Sequence, residues 1–129
     1  MKIESHYKSL KESLELIEES VQKGILERQR TIGFHCSAAA VDMLEIFLHK
    51  SRLIEPGAII KHDWFSSSNK IKSKFSYDFP EKKKIISLML RLEEKRNIIC
   101  YGKPQKKEVI EEYIFLFREL EKIFRNLGV

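Results

Sequence analysis

Residues 93–102, Glu-Glu-Lys-Arg-Asn-Ile-Ile-Cys-Tyr-Gly, hold the side chains of this chain best placed to do chemistry. Ile85, Leu88, Met89, Leu92, Arg96 and Ile99 recur at helical spacing, so Arg96 shares the apolar stripe of its helix. A guanidinium keeps its charge at any ordinary pH, and burying it alone is costly. Arg96 therefore calls for an anionic partner: a carboxylate, an interface, or a ligand phosphate. Two simpler accounts stand beside the ligand. One is an arginine that snorkels at a helix end, where its charge suits the dipole. The other is an ion pair with an acid of the second helix, Asp42 or Glu45.

Four predicted helices must position these residues. In the first, Ile3, Tyr7, Leu10, Leu14, Ile17 and Val21 form one seam, and Gly24 ends it. The second runs from about Glu27 to Lys50 and is apolar nearly all round between Phe34 and Leu48, which predicts the central, most buried helix. The third runs from about Pro80 to Tyr101, with Gly102 and Pro104 as the stop. The fourth runs from about Lys106 to Leu127 with a stripe from Val109 to Leu127. Nothing reads as a sheet, since Ala58-Ile59-Ile60 is too short to pair alone. The expected fold is all-α: one domain, 1–129, an antiparallel four-helix up-and-down bundle. The tight 102–105 link makes the third and fourth helices neighbours.

A long connection, about 51–79, interrupts this plan. It carries His62-Asp63, Trp64-Phe65 and a short extra helix expected near Asn69 to Phe75, because Ile71 and Phe75 lie four apart. Long connections of this kind often carry function; equally, Trp64, Phe65 and Phe75 could cap one end of the bundle. His62 is either a proton relay or a surface histidine. His35 reads as a packing residue of the second helix, and His6 and His49 as surface residues without partner spacing.

Charge is unevenly spread. Residues 61–107 hold 13 Lys and Arg against 5 Asp and Glu, a surplus of +8; with a total of +5, the remainder sums to −3. The asymmetry points to an acidic partner such as RNA, a nucleotide or an acidic protein face, against the plainer reading of a solvated lysine-rich surface. Cys36 and Cys100 lack metal-type spacing and sit in apolar context, so buried thiols are expected, with no metal site and no cofactor. No Gly-rich phosphate loop or nucleophile elbow is present. The longest apolar run is too interrupted to span a bilayer, and the start of the chain has no apolar signal region, so a cytoplasmic location is expected.

Taken together, the pattern resembles the HEPN superfamily of small all-α domains from prokaryotic defence and toxin–antitoxin systems. The resemblance rests on the Ala-rich second helix from Phe34 to Leu48, on Ile60-Lys61-His62 with the downstream Phe75, and on Arg96-Asn97-Ile98-Ile99-Cys100-Tyr101-Gly102 at the end of the third helix. It implies a homodimer, and often a minimal nucleotidyltransferase as partner. In active members, a metal-independent mechanism cleaves RNA: the ribose 2′-OH attacks the adjacent phosphate, a His assists proton transfer and the Arg stabilises the phosphorane. Arg96 and Asn97 match that signature, while Tyr101 stands where the His is expected. Tyrosine, with a pKa of about 10, is a poor base at pH 7. The resemblance thus implies either a binding module for RNA or a nucleotide, partnered by a nucleotidyltransferase, or an RNA-cleaving toxin that uses Arg96 with Tyr101 or His62. Lys61, Lys95, Arg96 and Lys103 are the expected phosphate contacts, and Tyr101 is a candidate acceptor for nucleotide modification. The rival is a helical bundle with no ligand. Geometry adds a constraint: five residues along an ideal helix turn through about 140°, so Arg96 and Tyr101 converge only if the helix distorts near Cys100 or a two-fold axis brings two copies together.

Overall fold

The computed structural model describes residues 2–129, and the chain is all-helical, with no strand among the described residues. Among these residues five α-helices occur: α1 (Ile3–Lys23), α2 (Gln29–Lys50), α3 (Ser68–Lys74), α4 (Lys82–Tyr101) and α5 (Lys107–Asn126). A single 3-10 turn, His62–Ser66, precedes α3. α2 packs against α1, α4 and α5, while α1 has close backbone contact with α2 alone. The link after Tyr101 does make α4 and α5 neighbours. As its composition predicts, α2 lies at the centre: Ile32, Cys36, Ala39, Leu44, Ile46 and Leu48 are fully enclosed. By length and hydropathy α2 is also apolar enough to cross a membrane, contrary to the expectation that no segment would be, yet most of its apolar stretch is buried inside the protein. A core helix shares this composition because it too meets little water.

Small residues and backbone oxygens govern how α2 meets its neighbours. Gly33 lets α4 come close: a Cβ added there would stand 2.7 Å from the Cys100 sulfur and 3.0 Å from Ile99 Cγ2. The carbonyl of Gly33 accepts a hydrogen bond from the buried Tyr113 hydroxyl on α5 at 2.7 Å. Three helices thus meet at one glycine. α2 stops in a Schellman turn, in which Leu53 N–H donates to Leu48 O and Arg52 N–H to His49 O, with Arg52 at φ 57°.

The third predicted helix begins two residues later than its Pro80 start signal implied. Glu81 is left-handed, at φ 62°, so helical geometry opens at Lys82. The 51–79 connection is pinned to the core by aromatic rings. Phe65 and Phe75 stack with centroids 5.6 Å apart, Trp64 meets Phe75 at 6.0 Å, and Tyr77 passes the contact to Phe79 and so to Phe47 of α2. Phe65 and Phe75 are buried, each contributing about 2 kcal/mol by removal from water. Lys82 Nζ donates to the carbonyls of Phe75 (2.7 Å) and Tyr77 (2.6 Å), so the first lysine of the 82–84 run closes this connection rather than facing solvent. Sequence reasoning placed the short helix within one residue of α3; it did not foresee the 3-10 turn, which is only five residues long. That turn carries His62 at its start and the buried Phe65 three residues on, so the aromatic anchor also positions the imidazole.

Candidate functional site

Arg96, about four turns into α4, is 8% exposed and lines a cleft of about 740 Å³ between α1, α2, α4 and residues 59–63 of the connection. Its guanidinium carbon lies 5.2 Å from the Phe34 ring centroid and 5.6 Å from that of Tyr101, and the two rings meet edge to face at 5.9 Å. Arg96 Nη1 donates to Asn97 Oδ1 at 3.3 Å, whereas its buried Nε has no hydrogen-bond partner. Among the described residues no carboxylate forms an ion pair with Arg96. The ion pair with Asp42 or Glu45 considered from sequence does not form, because both acids turn to His6 instead.

Convergence of Arg96 and Tyr101 takes a form that helical angles alone did not indicate. α4 continues through Tyr101 without a break, yet the long arginine side chain reaches the tyrosine ring. The contact is cation to π-face. Tyr101 itself is 68% exposed, and Asn97 is exposed. The glycine after the helix marks its end, where Gly102 N–H donates to Ile98 O.

The 3-10 turn presents His62 to the same cleft. Its Nδ1 lies 2.9 and 3.0 Å from the two oxygens of Glu93, a carboxylate only 5% exposed, one turn before Arg96 on α4. An ionised carboxylate can only accept, so Nδ1 donates to it, and in the neutral imidazole Nε2 is then the acceptor. Glu93 thereby orients a basic imidazole nitrogen while being itself occupied, and so is withdrawn from Arg96. Lys61 is exposed and lines the same cleft. The cleft thus gathers Lys61, His62 and Arg96. The other expected phosphate contacts lie elsewhere: Lys95 pairs with Glu112 of α5 at 3.1 Å, and Lys103 is exposed on the link to α5.

The far end of the cleft is built from histidine and acid. His6, expected at the surface, is only 4% exposed: its Nδ1 lies 2.9 Å from Asp42 Oδ1, and its Nε2 faces Glu45 Oε2. His49 stacks on it, with ring centroids 6.1 Å apart. His35 is half-buried, as a packing residue should be, and its Nδ1 contacts the Ser13 hydroxyl at 3.2 Å. Burial pushes the Asp42 carboxyl above its usual range, partly offset by the neighbouring His6. One sequence signal for this group existed: Asp42, Glu45 and His49 fall on one face of an otherwise apolar helix, where polar groups need partners. Their partner His6 comes from another helix, 36 residues away from Asp42.

Both cysteines are free and buried, as expected. No family model, curated protein or solved structure matches this chain.

Proposed function

We propose that this chain is a HEPN-like binding module for RNA or a nucleotide, with its four long helices forming an antiparallel bundle and Arg96 receiving a phosphate in the cleft. In this reading it acts in the cytoplasm as a homodimer, beside a minimal nucleotidyltransferase, in a two-component system of the toxin–antitoxin type. The observation that carries it is the state of Arg96: a buried guanidinium with two aromatic rings against it and, among the described residues, no partner for its Nε and no carboxylate partner. An enclosed cation without a counter-ion is a site for an anion, and a guanidinium suits the oxygens of a phosphate. Lys61 adds charge at the rim, and Tyr101 and Phe34 offer faces on which a base can stack. Exposed Phe115 on α5 and Ile98 on α4 supply apolar surface for a second copy.

The His62–Glu93 pair favours a second reading, metal-independent cleavage of RNA. His62 Nε2 takes the proton of a ribose 2′-OH, the oxygen attacks the adjacent phosphorus, and Arg96 neutralises the charge gathering on the phosphorane. The 5′ oxygen leaves with a proton taken from water, and protonated His62 returns its own proton to solvent, giving a cyclic phosphate and a free hydroxyl end. His62, not Tyr101, is the base in this scheme, because a carboxylate holds its tautomer.

Anisotropy of a labelled single-stranded RNA, measured in EDTA, tests the first reading. Wild type should bind, more weakly as salt rises, and Arg96→Ala should bind at least about tenfold more weakly, the worth of a charge-assisted hydrogen bond. Equal affinity of the folded variant and wild type would remove Arg96 from the site and the reading with it. Incubation of the same RNA tests the second: cleavage lost in both His62→Ala and Arg96→Ala supports it, and an intact RNA with wild type leaves binding alone.

A further inference from the structure

α1 and α2 bring three unsatisfied atoms to one point. His6 Nε2, Glu45 Oε2 and His49 Nε2 all lie within 4.8 Å of one another. Each is sealed from solvent and has no hydrogen-bond partner among the described residues, although His6 Nε2 and Glu45 Oε2 stand in ion-pair contact with one another. Buried polar atoms without partners are uncommon, and three that face each other call for a shared occupant.

The remaining polar atoms on two of these side chains are already engaged. Asp42 Oδ1 sits 2.9 Å from His6 Nδ1, which fixes the proton there and turns the Nε2 lone pair toward Glu45. The other oxygen of Glu45 accepts the Ile60 N–H. Glu45 and His49, four residues apart on α2, present their atoms on one helix face, and His6 meets them from α1. A proton on His6 Nε2 would satisfy that atom and Glu45, yet leave His49 Nε2 unpartnered. A cation at the centre of the three satisfies all of them.

We propose that His6, Glu45 and His49 bind a divalent first-row transition-metal ion of the zinc type. Two imidazole nitrogens and one carboxylate oxygen are the donor set such ions prefer over calcium or magnesium, which take oxygen. Three protein ligands leave a coordination position open. His6 and Glu45 line the cleft that holds Arg96. The ion also ties α1 to α2, the one helix with which α1 makes close backbone contact. Spacing along the chain sets Glu45 and His49 on one face of α2 but could not supply His6, which lies far in sequence from both.

Cobalt titration of the metal-stripped full-length protein tests the proposal. Co(II) should bind at one equivalent per chain with a visible absorption band, and Zn(II) should displace it. His49→Ala should weaken Co(II) binding at least tenfold while the far-ultraviolet circular dichroism stays unchanged, because this side chain is only partly buried and alanine suits a helix. Glu45→Gln should weaken it likewise, and His62→Ala, whose imidazole pairs with Glu93 and is not one of the three ligands, should leave it within twofold. Zn(II) should raise the unfolding temperature of wild type but not of His49→Ala. Failure of wild type to bind one equivalent overturns the site. So does binding that survives within twofold in both His49→Ala and Glu45→Gln, or that is lost in His62→Ala alone. The RNA measurement above is made in EDTA, so neither result depends on the other.

Discussion

At the scale of single residues, burial decides which groups can react. The Cys36 thiol is pushed far up by removal from water, and Cys100 is raised by burial even though the Arg96 cation pulls the other way. The thiolate is the nucleophile, so both sulfurs should be inert in the fold despite ordinary chemistry. With a disulfide reagent at pH 8, the folded protein should label at least about a hundredfold more slowly than in 6 M guanidinium, where both thiols count. A thiol that labels rapidly without denaturant would mean that the Cys100 end of α4 opens readily. This burial was legible because each cysteine sits inside an apolar pattern, and so was the inward position of Arg96 on its stripe. The setting of His6 was not. Its acids lie on another helix, and local spacing carries no record of which helix faces which. For the same reason the Glu93–His62 contact, bridging α4 and the connection, could be sought only once the two were seen together.

Helix ends and crossings set the next scale, and two exchanges of glycine should act in opposite directions. Arg52 holds the left-handed position of the Schellman turn that ends α2, a conformation costly for any side chain but free for glycine. Arg52→Gly should therefore stabilise the protein by about 0.5–1 kcal/mol, part of the gain being lost to the freer unfolded chain. Gly33 is the reverse case. A methyl group there meets the Cys100 sulfur and Ile99 at the α2–α4 crossing, so Gly33→Ala should destabilise by about 1–3 kcal/mol even though alanine is the better helix former. Urea unfolding of the pair reads both signs; a destabilised Arg52→Gly would show that the exposed arginine holds some contact beyond its backbone. The helices themselves were legible from apolar periodicity, to within two residues at most ends. Their exceptions are backbone events: Glu81 adopts a left-handed conformation that no residue type announces, and the 3-10 turn is too short to show a period. Aromatic residues in the long connection hinted at an anchor, and stacked Phe65 and Phe75 supply it.

Across the whole molecule, the buried acids give stability a pH dependence whose sign follows from proton counting. Burial raises Cys36, Cys100 and Tyr77, and raises Tyr113 well above the ordinary tyrosine value. In the unfolded chain the thiols lose their protons near pH 8.5 and the phenols near pH 10. Above pH 8.5 the unfolded state thus binds fewer protons than the native state, and stability falls as pH rises. Below that value these groups are protonated in both states and contribute no slope. By pH 10, Cys36 alone should cost about 2 kcal/mol, the product of 1.5 pH units and 1.36 kcal/mol per unit. Urea midpoints taken between pH 7 and pH 10 should therefore hold level with respect to these groups to about pH 8.5 and then decline. Cys36→Ala should flatten the decline, while its lost sulfur lowers the midpoint wherever the pH is below about 8.5. Midpoints that stay level to pH 10 in wild type would mean the thiols ionise within the fold, and the enclosed α2 core would then have to admit water. The decline is a property of the packing as a whole: Tyr113 on α5 donates to Gly33 on α2, Gly33 admits Cys100 of α4, and Cys36 lies one turn along α2 from that glycine, so ionisation at one point would strain the crossing of all three helices.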